Sequence, residues 1–181
     1  MAAPQPKFTL TVTMGRDTHT IVLGAEGLVT FLGNRQYWKP DHPDIALYEA
    51  AAAHPATEVR EYAARFELLS EATLRSLVND PSNRVHEELL ENSKFRKVAT
   101  KSDIMRLISD STRCAALVAG AIGEFEEVDA NELYKTLRAH PDPKVRFELA
   151  GAYNIPEKWR RALCKDADSD VARKAKQSLQ D

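Results

Sequence analysis

His54-Pro55-Ala56-Thr57-Glu58-Val59-Arg60 is the stretch from which the rest of the chain can be read, because its arrangement returns four more times. With Val59 as the anchor, the equivalent positions are Val85, Cys114, Val145 and Val171, at intervals of 26 to 31 residues. Self-similarity at such a period marks a stack of small structural units. Four residues after the anchors stand Ala63, Leu89, Val118, Leu149 and Ala175, all apolar. An i, i+4 pair of this kind puts two apolar groups on one helix face. Three residues before the anchors stand Ala56, Ser82, Ser111, Asp142 and Asp168. Four of the five are favoured helix N-caps, and Pro143 then falls at a first helical position. Pro55, Pro81 and Pro141, preceded by His54, Asp80 and His140, punctuate the turns that lead in.

Each of these helix starts has a shorter amphipathic segment upstream. Leu47, Leu133 and Trp159 stand twelve residues before their anchors, and Ala51, Leu77, Leu137 and Leu163 stand eight before theirs. In the third unit Ile104 and Ile108 take the same roles, shifted by two because the turn is shorter. Each unit therefore reads helix, turn, helix. One such pair cannot bury its apolar faces alone, so neighbouring pairs must stack. Five antiparallel pairs are predicted over residues 44–181, with no strand beyond residue 45.

The pattern Asp/His-Pro-x-x-x-Val-Arg-x-x-x-Ala resembles HEAT repeats and their short leucine-rich-repeat-variant form. The segment from His140 to Asp166, with Val145-Arg146 and Leu149-Ala150, is most similar. The resemblance covers about residues 41–181. It implies a mainly α chain forming a right-handed α-α superhelix, an ARM-type solenoid of about five pairs, on a scaffold used chiefly for binding proteins or nucleic acids. The iron–sulfur-bearing members of that family carry an N-terminal cysteine cluster, which this chain lacks.

Residues 1–40 fall outside the repeat and are read as a β-structured cap. Lys7-Phe8-Thr9-Leu10-Thr11-Val12-Thr13 alternates apolar and polar residues, the pattern of a half-buried strand. Thr20-Ile21-Val22-Leu23 pairs with it through Met14-Gly15-Arg16-Asp17, giving a hairpin. Ala25 to Leu32 fits either a short helix or a third strand. Gly33-Asn34 and the Pro40 and Pro43 pair separate this cap from the repeat domain at residues 41–181. The cap is expected to cover the outer face of the first unit.

Composition narrows the function. A length of 181 residues supports one domain, and 43% hydrophobic with 29% charged residues is a globular balance. A net charge of −2 argues against indiscriminate coating of nucleic acid. Cys114 and Cys164 form no CxxC pair and read as small hydrophobes rather than metal ligands. No apolar run is long enough to cross a membrane and the N-terminus has no signal-type apolar region, so a cytoplasmic protein is expected.

Enzymes exist on related scaffolds, and three chemistries bear testing. Helical-repeat hydroxylases use several His-Glu pairs to hold two irons. Here His86-Glu87 stands alone, its equivalents being Arg60-Glu61, Ala115-Ala116, Arg146-Phe147 and Ala172-Arg173. His86 is accordingly read as a surface or helix-packing residue. The alkylpurine DNA glycosylases, similar helical-repeat proteins, need aromatics on a strongly basic wall. This chain has only Trp38 and Trp159, the latter at a core offset. Neither cysteine has a neighbouring histidine, and no Gly-rich phosphate loop occurs. No catalytic residue, metal or cofactor is predicted.

Binding residues are easier to nominate. Ser93-Lys94-Phe95-Arg96-Lys97-Val98-Ala99-Thr100-Lys101 is a basic connector carrying an aromatic. It can grip phosphates or an acidic groove, or simply let Phe95 and Val98 pack on adjacent helices. Residues 41–80 are acidic and 81–120 basic, which polarises the surface or merely solvates helix faces. The residue before each anchor is Glu58, Arg84, Arg113, Lys144 or Asp170, and the middle three form a row of cations at successive helix starts. Arg84, Arg113 and Lys144, with Phe95, Arg96 and Lys97, are the predicted contacts to a protein partner's acidic surface or to phosphates. The competing account pairs each cation with Glu87, Glu88 or Glu148. The expected function is a protein–protein interaction module, an adaptor, inhibitor or regulatory subunit. The alternative is a nucleic-acid-binding protein using the central basic zone, and an enzyme comes third.

Overall fold

A computed structural model describes residues 6–33, 45–126, 128–153 and 155–180. It opens with an antiparallel hairpin, β1 (Thr9–Met14) and β2 (Asp17–Val22), followed by the helix α1 (Ala25–Gly33). Two helix pairs come next, α2 (Ile45–Ala51) with α3 (Thr57–Ala64), and α4 (Glu71–Leu77) with α5 (Asn83–Glu91). A short helix α6 (Ser93–Val98) precedes the third pair, α7 (Lys101–Asp110) with α8 (Thr112–Gly120). After a 3-10 turn at Ile122–Glu124 come α9 (Ala130–Arg138) with α10 (Pro143–Gly151), and α11 (Glu157–Leu163) with α12 (Ser169–Gln177). The chain is mainly α with a small N-terminal sheet, and no strand occurs beyond β2 among the described residues.

The second helix of each pair begins where its cap predicts. Ala56, Ser82, Ser111, Asp142 and Asp168 are the N-caps of α3, α5, α8, α10 and α12. The side chains of Ser111, Asp142 and Asp168 each accept a hydrogen bond from a first-turn amide. These second helices form a row in which α3 touches α5, α5 touches α8, α8 touches α10 and α10 touches α12. Each first helix packs on its own partner. All five anchors and all five residues four positions later are 0% exposed. Leu133, Leu137, Leu77, Leu163, Ile104 and Ile108 close the seam from the first helices.

A repeated polar tie fixes the turns. Arg60, one residue past its anchor, donates to both Asp80 oxygens at 2.6 and 3.1 Å and to the carbonyls of His54 and Pro55 at 2.9 Å. Arg146 repeats this with Asp166 at 2.9 and 3.0 Å and with the carbonyls of His140 and Pro141. Each arginine thereby joins the turn leading into its own helix to the corresponding turn of the next unit. The acceptor aspartates in turn take the amides of Ser82 and Asp168, both at 2.9 Å. The hydrogen bond from Arg146 holds the Asp166 carboxyl below the usual carboxylate range.

Three expectations are corrected. Phe95, nominated as a partner contact, is enclosed, because the connector Ser93–Lys101 forms α6 and the start of α7. Asn92 caps α6 by accepting from the Phe95 amide at 3.1 Å, and Thr100 with Asp103 forms a capping box on α7. The second strand starts at Asp17, so the hairpin closes through the two residues Gly15 and Arg16. Gly15 has φ 64° and no non-glycine residue among those described has positive φ, which places glycine where a two-residue hairpin turn needs it. Finally, every strand residue is exposed, so the strands are not half-buried. One hairpin face carries Leu10, Val12, Met14 and Ile21, and the other carries Thr9, Thr11, Thr13, Thr18 and Thr20.

Ala25–Gly33 resolves as a helix. Leu28 and Leu32 of α1 are fully buried, α1 packs on α3, and the Tyr48 hydroxyl donates to the Leu32 carbonyl at 3.0 Å. The outer side of the first pair is thus covered by α1, while the hairpin is attached through the buried Phe8, whose ring meets His54 at 5.6 Å. Trp38, the two prolines and the boundary at residues 40/41 lie outside the described residues.

Because Val145 is fully enclosed, Val145→Ala should destabilise the chain by about 1–3 kcal/mol in urea unfolding. Asp166→Ala strands the Arg146 guanidinium in a partly buried site and should cost on the order of 3 kcal/mol. Glu157→Ala removes only an exposed pair with Arg161 and should change stability by less than about 0.5 kcal/mol.

Candidate partner-binding surface

The outer face of the second helices is set by the residues that the core stripe leaves out. Positions one before and two after each anchor point away from the seam. In α5, α8 and α10 the first of these are Arg84, Arg113 and Lys144, all exposed on the first helical turn. The second are Glu87, Ala116 and Phe147, and Phe147 is 37% exposed. Arg113, Ala116, Lys144 and Phe147 line one cleft across α8, α10 and the start of α12. It continues past Leu117 and Gly120 toward the 3-10 turn. Arg84 lies outside this cleft, on the neighbouring α5.

The acids around the cleft are mostly engaged. Asp142 and Asp168 accept first-turn amides, and Asp170 pairs with Arg173 at 2.6 Å. Glu88 is held by Arg65 at 2.5 and 2.6 Å, so it does not neutralise the row. Arg113 has only a loose contact with Glu87 at 3.8 Å, and neither Arg84 nor Lys144 has a carboxylate within 4 Å among the described residues. Their charge also sits at helix N-termini, where the backbone dipole adds positive potential. Pairing with Glu87 or Glu88 therefore accounts for little of this row, while Glu148 lines the cleft beside Arg113.

The connector residues are placed differently. Phe95 is fully buried and presents no ring, because α6 turns it into the core. Arg96 donates to the Leu90 carbonyl and pairs with Glu91 and Glu124 at 3.0 and 2.6 Å. It borders the continuation of the cleft, but its guanidinium is fully engaged. Lys94 donates to the Leu69 carbonyl at 2.6 Å, and Lys97 is exposed outside both clefts. The aromatic available for contact is instead Phe147, which sequence reasoning passed over. Its position two residues past the anchor, off the i, i+4 stripe, was the signal.

His86 is buried at 2% exposure rather than on the surface. It occupies the position that Arg60 and Arg146 hold in their units, and its Nδ1 lies 3.1 Å from Asp110 of the next unit without hydrogen-bond alignment. Among the described residues no three His, Cys, Asp or Glu side chains are placed to hold a metal ion. Cys114 is buried, and that burial pushes its thiol up, away from the reactive thiolate. No described helix is long and apolar enough to cross a membrane. No protein-family model, curated protein or solved structure matches the chain.

Burial lowers the His86 pKa, outweighing the opposite pull of Asp110 and Asp80, and Arg106 adds to the lowering. The unfolded chain, with its histidine near 6.5, then binds more protons than the folded one below that pH. Stability contributed by neutral His86 is complete above about pH 6.5 and is lost as pH falls through the lowered folded value. Urea midpoints measured from pH 7.5 to 5 should fall for the wild type and fall less for His86→Gln.

Proposed function

We propose that this protein is a binding module, a short HEAT-like right-handed α-α superhelix that engages a protein partner through the face of its second helices. The observation that carries this reading is the cleft where Lys144, with no carboxylate within 4 Å among the described residues, and Arg113, held only loosely by Glu87, flank the exposed Phe147 and the half-buried Ala116. An aromatic anchor beside exposed cations is the composition of a binding hot spot. It fits an apolar side chain with an acidic neighbour on the partner. Arg84 extends the positive edge along the row. The reading assigns the chain no catalysis, metal or cofactor. It places the protein in the cytoplasm, where its two free thiols stay reduced.

The central connector is not favoured as a nucleic-acid grip, since Phe95 is enclosed and Lys94 and Arg96 are tied to carbonyls and acids. Capture from native lysate, with and without nuclease, tests the protein reading. The wild type should retain a nuclease-insensitive partner, while Phe147→Ala and the triple variant R84E/R113E/K144E should each weaken it at least about tenfold, or 1.4 kcal/mol. All four side chains are exposed, so these variants should keep the wild-type circular dichroism. Retention undiminished in both variants would reject this face.

A further inference from the structure

The geometry points to a second, separate site: the furrow between α9 and α11 binds the phosphate backbone of a single-stranded nucleic acid. Two adjoining depressions there share Arg138, Lys158 and Ala162. The first helix contributes Lys135 and Arg138, and the second contributes Lys158 and Arg161, with Lys165 just beyond it. Each set repeats at one-turn spacing, so each forms a stripe on its helix, and the two stripes border one furrow. All five cations are exposed.

Their charge is left standing. Arg161 pairs with the exposed Glu157, and Lys158 donates to the Asn131 side-chain carbonyl at 3.1 Å. Lys135, Arg138 and Lys165 have no side-chain partner among the described residues. The nearby acids are already engaged. Glu132 pairs with Lys101, Asp129 caps α9 through the Asn131 amide, and Asp166 is held by Arg146. A chain of net charge −2 thus concentrates five cations on one surface, three of them without a hydrogen-bonded or ion-paired side chain among the described residues.

The occupant follows from what the furrow lacks. A protein interface needs a desolvated apolar core, and here the lining offers Ala162, Cys164, Leu179 and the half-buried Trp159, small or partly covered groups with no exposed aromatic. The Trp159 ring is already engaged, with Lys158 Nζ at 5.3 Å and Tyr134 at 5.7 Å, so base stacking adds little. A phosphodiester backbone needs neither, because it binds through counterion release to cations that track it. One furrow bordered by two stripes suits one flexible strand, whereas a rigid duplex would offer it only one edge.

Fluorescence anisotropy of a short labelled oligo-dT with the full chain tests this. Neutralising four or five phosphates gives a log–log salt slope near about −3, so affinity should fall about 50- to 100-fold between 50 and 200 mM salt. K135E/R138E/K158E should lose at least about tenfold at low salt and flatten the slope by about 2. The milder K135Q/R138Q/K158Q, checked by circular dichroism, should show the same loss in smaller measure. R84E/R113E/K144E should leave oligo-dT binding unchanged, which separates this site from the second-helix face. The proposal is overturned by no binding at 50 mM salt, by binding that survives both furrow variants, or by loss in the second-helix variant instead. Equal displacement by polyglutamate at matched charge, or tighter binding of a duplex, would overturn it as well.

Discussion

Helices of seven to ten residues are too short to persist in water by their own hydrogen bonds, and here each pair also leaves an apolar stripe that it cannot bury alone. The row of second helices resolves both problems at once. Val59, Val85, Cys114, Val145 and Val171, with the residues one turn later, form a seam that exists only while neighbours are in place. The other devices serve that seam. The caps decide where each second helix begins, and the arginine ties hold successive lead-in turns at a fixed separation. Since the seam consumes one side of every second helix, the opposite side is left for Arg113, Lys144 and Phe147.

The regularity is broken in the middle. Arginine joins the first unit to the second and the fourth to the fifth, but His86 stands in that role between the second and third. There the next turn is shortened to Ser111 alone, and Asp110 faces the ring in place of an aspartate that also accepts a turn amide. The inserted α6 takes up the slack, with Asn92 capping it and donating to the Ala64 carbonyl at 2.8 Å. The central joint therefore relies on other contacts: Phe95, Leu107 and Ile104 are fully buried there, Arg106 donates to the Val78 carbonyl at 2.9 Å and Arg75 to the Val98 carbonyl at 3.1 Å.

Whatever depended on local periodicity could be read from the chain. Anchors, caps and the i, i+4 stripe involve residues within one turn of each other, and they located all five second helices. The helix within the connector went unread because six residues show no periodicity, although Asn92 and the Thr100 and Asp103 pair announce two helix starts. Alternation found the hairpin but could not say what covers it, since a pattern defines a face and not its neighbour. Phe95 was nominated for contact and Phe147 passed over for the same reason, as only packing decides which aromatic is enclosed. Lys135 and Arg138 and the stripe on α11 are each visible in sequence. Their meeting across one furrow is tertiary.

The polar ties between units have a further property. Arg60 to Asp80 spans 20 residues, as does Arg146 to Asp166, and Asn92 to Ala64 and Arg96 to Glu124 each span 28. Each helix pair thus finds its partners in the segment just before or after it, and the chain ends never have to meet. Loop-closure entropy stays small at every step, which places the protein among topologies of low contact order that fold quickly. During synthesis, each pair leaving the ribosome meets a completed wall from the pair before it. Assembly can proceed in the order of translation, with no long-range search.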